Sequence, residues 1–418
     1  ERVRSGENTA DILQREVPQL LKRLAHSKGM LWNSSNVPFS RPISNILILL
    51  EGQLIPCSFA GVSSSNMIRG HRLLSASRLP VNSFREYIEA LNRHFVVVDE
   101  QERRQKIVRD IQSMEGEWQC RALLDPEVLE RYVYNHEYPV VFSGSFDPVF
   151  LEIPREIIQT FMIREKGLTP MVREDGSLSN HFVGVANIPD ENGHVARGNE
   201  RVIGATFQDA RFFWDQDRAD DFADLRQLLA QVTFHQEIGS YLEKTTRMAA
   251  QMPRVLQLCG REDLAEPLSE AALSCKNDLV TRMVREFPSL QGIMGGLYLK
   301  EQGASPTVSE AVYHQYDPKG YTDQELSSFP GAILSLVDRM DSLAAFAAHQ
   351  IRSTGSKDPF GIRRDINGII KLLQDFRVDV DFRRLLAPAA ADFPGDAETT
   401  VAAVSEQLRN RLEGILRE

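Results

Sequence analysis

The sequence predicts an α+β protein, with strands confined to the first half of the chain and helices filling the second. Up to about residue 199, short apolar runs of strand length alternate with helical periodicities. Beyond Asn199 nearly every apolar cluster recurs at helical spacing. Punctuation supports the division, because the second half is broken only at Gly260, Pro288, Gly303 to Pro306, Pro318 to Gly320 and Thr354 to Pro359. At 418 residues the chain exceeds one ordinary core. The main boundary is expected within 190–220, with modules over 1–80, 81–200 and 201–385 and a helical start of a further region over 386–418.

Leu13, Val17, Leu20, Leu21 and Leu24 predict a first helix. Ile46 to Leu50 and Leu54 to Phe59, split at Gly52, predict two strands and a tight turn. Ser83 is placed to cap a helix running to Arg93. Phe95 to Val98 has the composition of a strand, and Asp99 to Met114 that of a charged helix. Asp125-Pro126 combines a capping side chain with proline at the first helical position. Val140 to Phe142 and His181 to Ala186 predict further strands, with a Pro- and Gly-punctuated stretch from Ser143 to Gly176 between them. Helices are then expected over Leu225–Leu229, Glu237–Ala250, Ala265–Glu286 and Pro330–Ile351, and a last amphipathic one from Glu398. A low-complexity tract and internal repeats are absent.

Composition excludes several classes. No window approaches the ~20 apolar residues that span a bilayer, and no signal peptide is visible. The chain opens on Glu1 rather than Met, as expected of a processed or excised chain. Its four cysteines, Cys57, Cys120, Cys259 and Cys275, are far apart and form no C-x-x-C pair, which predicts small buried hydrophobes in a reducing cytoplasm. The formal net charge of −10 argues against coating nucleic acid by bulk charge, so any RNA contact must rest on local patches. Phosphate-loop, dinucleotide-turn, nucleophile-elbow and H-E-x-x-H signatures are missing, as are HIGH and KMSKS. No catalytic residue and no bound cofactor is therefore expected on this chain.

Three candidate sites remain. His235, Asp338 and Asp341 resemble a worn version of the metal site of HD-type phosphohydrolases, with the two aspartates on one helical face. No His-Asp dipeptide occurs, Glu286-Phe287 standing near its place, so a metal site is broken; the plainer reading pairs the aspartates with Arg339 or Arg282 and leaves His235 as an ordinary helix residue. Basic clusters lie at Arg69-Gly-His-Arg72, Glu102-Arg-Arg-Gln-Lys106 and Ser356 to Arg364. In the last, Asp358 is placed to cap a helix with Pro359 in its first turn, beside Lys357, Arg363 and Arg364 that could grip a phosphate. Phe207, Phe212, Phe213 and Trp214 could stack bases, but at helical spacing they predict core.

The chain resembles the glycyl-tRNA synthetase beta-subunit family. The matching strings, in the family's order, are Gly70-His-Arg72, Gly144 to Glu156, Val185-Ala-Asn187, Gly198-Asn-Glu-Arg-Val202, Asp209-Ala-Arg-Phe-Phe213, Asp278 to Pro288, Leu290 to Gly295 and Thr354 to Phe360 with Arg363-Arg364. The resemblance implies B-type alpha/beta modules followed by an HD-like helical domain. It further implies a central fragment without the family's amino-terminal module and anticodon-binding domain. The implied function is tRNA binding in a heterotetrameric, cytoplasmic glycine–tRNA ligase, with ATP and Mg used on a partner alpha subunit and tRNA-Gly as the RNA. Arg69, Arg72, Lys357, Arg363 and Arg364 are the expected phosphate contacts. An active HD-type metal phosphohydrolase and a scaffold that never meets RNA are the alternatives. Two strings depart from the family: Arg164 to Pro170 has lost aromatic and basic character, and Val337-Asp-Arg-Met-Asp341 has drifted while keeping its charges.

Overall fold

The computed structural model describes every residue except 1–5, 25–28, 76, 322, 324–325, 327, 352–357, 359 and 418. The chain folds as α+β in two compact units, Glu1–Leu151 with Phe161–Gly204 and Glu152–Thr160 with Ala205–Glu418.

In the first unit a four-stranded antiparallel sheet runs in the order Arg121–Ala122, Thr169–Val172, Leu178–Ala186, Val140–Ser145. Its longest pairing sets His181 opposite Ser145 and Ala186 opposite Val140. Strand alternation turns Val183 and Val185 to the helices Glu100–Trp118 and Pro126–Asn135, where they pack with Ile107, Ile111, Val128 and Val133. The caps predicted at Ser83 and Asp125 form, each side chain accepting backbone N–H groups of the first helical turn, and Asp99, expected as a helix residue, caps its helix in the same way. The expected strand at Phe95 to Val98 does not. Those residues continue from the helix Phe84–Arg93, with the Val96 and Val97 N–H groups donating to the carbonyls of Leu91 and Glu137. The strands expected from Ile46 shorten to two hairpins, Leu49–Leu50 with Gln53–Leu54 and Ser58–Phe59 with Val62–Ser63. The backbone is left-handed at Glu51-Gly52 and again at Ala60-Gly61, so the chain turns twice where one turn was predicted.

The second unit is built around the helix Phe329–Ala348, which is apolar on nearly all sides and buried from Gly331 to Val337 and Arg339 to Phe346. Ser328 caps it, its hydroxyl accepting from the Gly331 N–H. The helices Tyr241–Leu258, Ala265–Ser274, Pro306–Tyr313, Ile362–Asp375, Phe382–Ala390 and Ala397–Ile415 pack around it. Trp214 stacks on Tyr298 at 5.1 Å and Phe207 is fully buried, so the aromatic run is largely core, with Phe212 left exposed.

The helix expected over Ala265–Glu286 is broken into Ala265–Ser274, a 3-10 turn Asn277–Val280 and Arg282–Glu286. Polar side chains turned inward cause the break. Asn277 donates to the Phe222 carbonyl, Asp278 accepts from the start of the helix Ile293–Glu301, and Thr281 caps the last piece. Among the described residues no helix is long and apolar enough to cross a membrane.

Candidate functional site

The central helix presents Asp338 and Asp341 one turn apart, on one face, with Asp341 fully buried and Asp338 largely so. Neither pairs with Arg339 or Arg282 as the plainer reading expected. Arg282 instead holds Asp217 and Asp220, and Arg339 holds Asp365. Three other cations reach the two aspartates. The Lys244 Nζ lies 2.9 Å from Asp338 Oδ1 and 3.1 Å from Asp341 Oδ2. The Lys276 Nζ lies 2.6 Å from Asp338 Oδ2. Arg247 takes Asp341 with a fork, Nε to Oδ1 at 2.9 Å and Nη2 to Oδ2 at 3.0 Å.

Both ammoniums are saturated. Lys244 also donates to the Asp338 carbonyl and the Ser342 hydroxyl, and Lys276 to Gln315 Oε1 and the Tyr316 hydroxyl. Each lysine side chain is only 2% exposed. Burial alone would raise the Asp338 carboxyl, but the Lys244 and Lys276 ammoniums overcome it and hold the group well below the usual carboxylate range. The same pairing raises both lysines against the effect of their own burial. Asp338 is thus an anion, with its two oxygens clamped between two desolvated cations.

This lattice of ion pairs, Lys244, Lys276 and Arg247 on Asp338 and Asp341, stands where the HD-type reading places a metal. The carboxylate oxygens that a metal would need are engaged by ammonium and guanidinium groups, and among the described residues no three His, Cys, Asp or Glu side chains are set to hold an ion. His235 is not brought to the aspartates. It lies on a short strand, Thr233–His235, rather than on a helix, with its ring against Phe360 and Phe346 at 5.2 and 6.1 Å. Lys244, Lys276 and Arg247 were missed from the sequence. A lysine at helical spacing looks like a solvated face, and only the aspartates drew attention.

Above the lattice opens a cleft of about 730 Å³. The rings of Phe234, Phe346 and Phe360 form one wall, with centroids 5.7 and 5.4 Å apart. Gln291 and Tyr316 line it elsewhere, joined to each other by a hydrogen bond. Asp278, fully buried, fixes the adjacent turn, its Oδ2 accepting from the Gly292 and Gly295 N–H groups. Burial pushes the Asp278 carboxyl up to about 6, against the pull of those N–H groups and Lys276.

The predicted phosphate contacts occupy two places. Arg69 ends the strand Met67–Arg69, directly opposite Arg78 on Arg78–Pro80. Gly70 follows because a Cβ there would meet His94 Cβ at 2.5 Å. His71 then points inward, with Nδ1 accepting the Leu73 and Leu74 N–H groups, and this sets Arg72 outward. Arg69, Arg72 and Arg78 are exposed, and among the described residues none forms an ion pair. The arginines of the next helix differ, since Arg85 and Arg93 both hold Glu89.

The second place is the start of the helix Ile362–Asp375, which begins three residues later than Asp358-Pro359 suggested. Gly361 is the capping residue, and the Asp358 carboxylate accepts from the Ile362 and Arg363 N–H groups at 2.9 and 2.8 Å. That carboxylate already occupies the helix N-terminus expected to receive a phosphate, leaving the exposed Arg363 and Arg364 side chains as the basic feature. Lys357 lies outside the described residues. The cluster at Glu102 to Lys106 is spent locally: Arg103 donates to the Val97, Val98 and Val133 carbonyls, Arg104 meets Glu130, and Lys106 meets Asp110.

Comparison with known proteins gives one family. The model described as "Glycyl-tRNA synthetase beta subunit" matches residues 1–418. The chain is 33% identical over 410 residues to the glycine–tRNA ligase beta subunit of Syntrophomonas wolfei, covering 96% of this chain and 59% of that protein. It is 34% identical over 423 residues to that of Halothermothrix orenii, covering 100% and 61%. Against that of Clostridioides difficile the identity is 32%, covering 99% and 60%. The chain therefore spans about three fifths of the length of these relatives.

Proposed function

The chain belongs to the glycyl-tRNA synthetase beta subunit family, and from that membership we propose that it is the tRNA-handling part of a heteromeric glycine–tRNA ligase of the cytoplasm. Glycine is activated with ATP and Mg on a separate alpha subunit in this reading. This chain binds tRNA-Gly and holds it so that the terminal adenosine reaches the partner's site, a contribution of position rather than of chemistry. The observation that carries the reading is the family match along all 418 residues. Two features of the fold support it. The aspartates of the HD-like region are already neutralised by lysine and arginine, which leaves them no oxygen for a hydrolytic metal. The exposed arginines at Arg69, Arg72 and Arg78 stand without carboxylate partners among the described residues in a chain of net charge −10. Arg69, Arg72, Arg363 and Arg364, with Lys357, are the phosphate contacts of this reading.

The test is the mass, by light scattering, of this chain mixed with the alpha subunit of the same organism. A stable mixed complex is expected. Two separate species, persisting when the chain is lengthened to the full span of its relatives, would overturn the heteromeric reading.

A further inference from the structure

The cleft above the lysine lattice has the features of a nucleotide site. Its volume of about 730 Å³ falls within the range of small-ligand pockets, about 300–1,000 Å³. One wall is a row of three phenylalanine rings, Phe234 stacked on Phe346 and Phe360 tilted against Phe346, of which Phe360 stands at the rim and is 39% exposed. Five cationic side chains line the cleft against three carboxylates, so its balance is positive within an acidic chain. The inner cations are committed: Lys244 and Lys276 to Asp338, and Arg339 to Asp365. The outer two are not. Lys319 is exposed and forms no ion pair among the described residues. Arg364 has its side chain 65% exposed and, among the described residues, its one ion pair is with Asp365 at 3.7 Å, a carboxylate that Arg339 already holds at 3.2 Å. An apolar ring face beside two under-used cations suits a flat heteroaromatic base carrying a phosphate.

We propose that this cleft receives one unpaired nucleotide, its base against the Phe346–Phe360 face and its phosphate at Lys319 and Arg364. The nucleotide is either an unpaired residue of RNA, a source that rests on the tRNA reading above, or a free nucleoside monophosphate.

The test uses the whole chain and three fluorescent probes: 2-aminopurine riboside 5′-monophosphate, the same base ending a single-stranded RNA tetramer, and the same base inside a blunt RNA duplex. Saturable quenching of at least one unpaired probe is expected, with no response from the duplex. The affinity should fall about tenfold in Phe360→Ala, the loss of one base–aromatic stack. It should fall by a similar factor in Arg364→Glu, an exposed change that leaves the core intact, and hold in Arg85→Ala, an exposed change on the first unit. Tighter binding of the tetramer than of the monophosphate assigns the RNA source, and equal binding assigns the free nucleotide. Silence from both unpaired probes, or equal affinity in the parent, Phe360→Ala and Arg364→Glu, overturns the proposal. If tRNA-Gly still binds in that case, the tRNA reading stands without the cleft. A quenched probe with no tRNA binding keeps the cleft and overturns the tRNA reading instead.

Discussion

Lys276 is a single residue on which the interior of the second unit depends. Its ammonium is one of two that neutralise Asp338, and it also sits 4.1 Å over the Tyr316 ring. Removing one partner of a buried pair leaves an uncompensated charge, at a cost of about 3–5 kcal/mol. Lys276→Met should lower the unfolding free energy by roughly that amount in urea titration, and adding Asp338→Leu should restore part of the loss. A double variant less stable than the sum of the two single ones would contradict the pairing. Asp278 gives a prediction with a pH sign. Burial raises its carboxyl in the folded state from the ordinary value of 3.8 to about 6, so the folded state holds its proton more tightly than the unfolded one. Its contribution to stability is therefore most favourable below the unfolded value and declines as pH rises towards the folded one. Asp278→Asn should gain on the parent across pH 4 to 6 by up to ~3 kcal/mol and keep a constant difference above that. Little of this was legible beforehand. A sequence shows that Asp338 and Asp341 share a face, but not which of 48 lysines and arginines comes to meet them, because those partners lie up to 97 positions away.

Elements were legible where local chemistry decides them and illegible where tertiary partners do. Ser83 and Asp125 each signalled a helix start through a side chain that reaches its own first turn. The Ala265–Glu286 stretch has helical spacing, yet it breaks at Asn277 to Val280 because Asn277 and Asp278 find buried partners on other elements. The turn that Asp278 holds is correspondingly sensitive. Gly292 has φ +84°, and a Cβ there would stand 2.7 Å from the Tyr316 ring. Gly292→Ala should cost about 1–3 kcal/mol by thermal or denaturant unfolding, and wild-type stability would show that the turn relaxes freely. The hairpin carrying Arg69 gives the opposite sign. Like charges directly across a strand pair disfavour it. Arg78→Thr should therefore raise the melting temperature slightly while weakening tRNA binding. A drop in both would assign Arg78 a structural role.

For the whole molecule, charge is the property that matters. A chain of net charge −10 cannot hold a polyanion by its mean field, so the proposed tRNA binding would have to come from a few exposed cations at defined places. The α+β class and the helical second half followed from periodicity alone, whereas the division into the units Glu1–Leu151 with Phe161–Gly204 and Glu152–Thr160 with Ala205–Glu418 could not, since it exchanges a short segment between them. The proposed tRNA-handling role is probed most directly by the affinity of this chain for tRNA-Gly over a series of salt concentrations. Saturable binding is expected, with the logarithm of the affinity falling linearly with the logarithm of salt. Arg69→Ala with Arg72→Ala should weaken binding and reduce the slope by about two, near one unit for each phosphate no longer neutralised. Absent binding, or binding with the same slope in the double variant, would contradict that role.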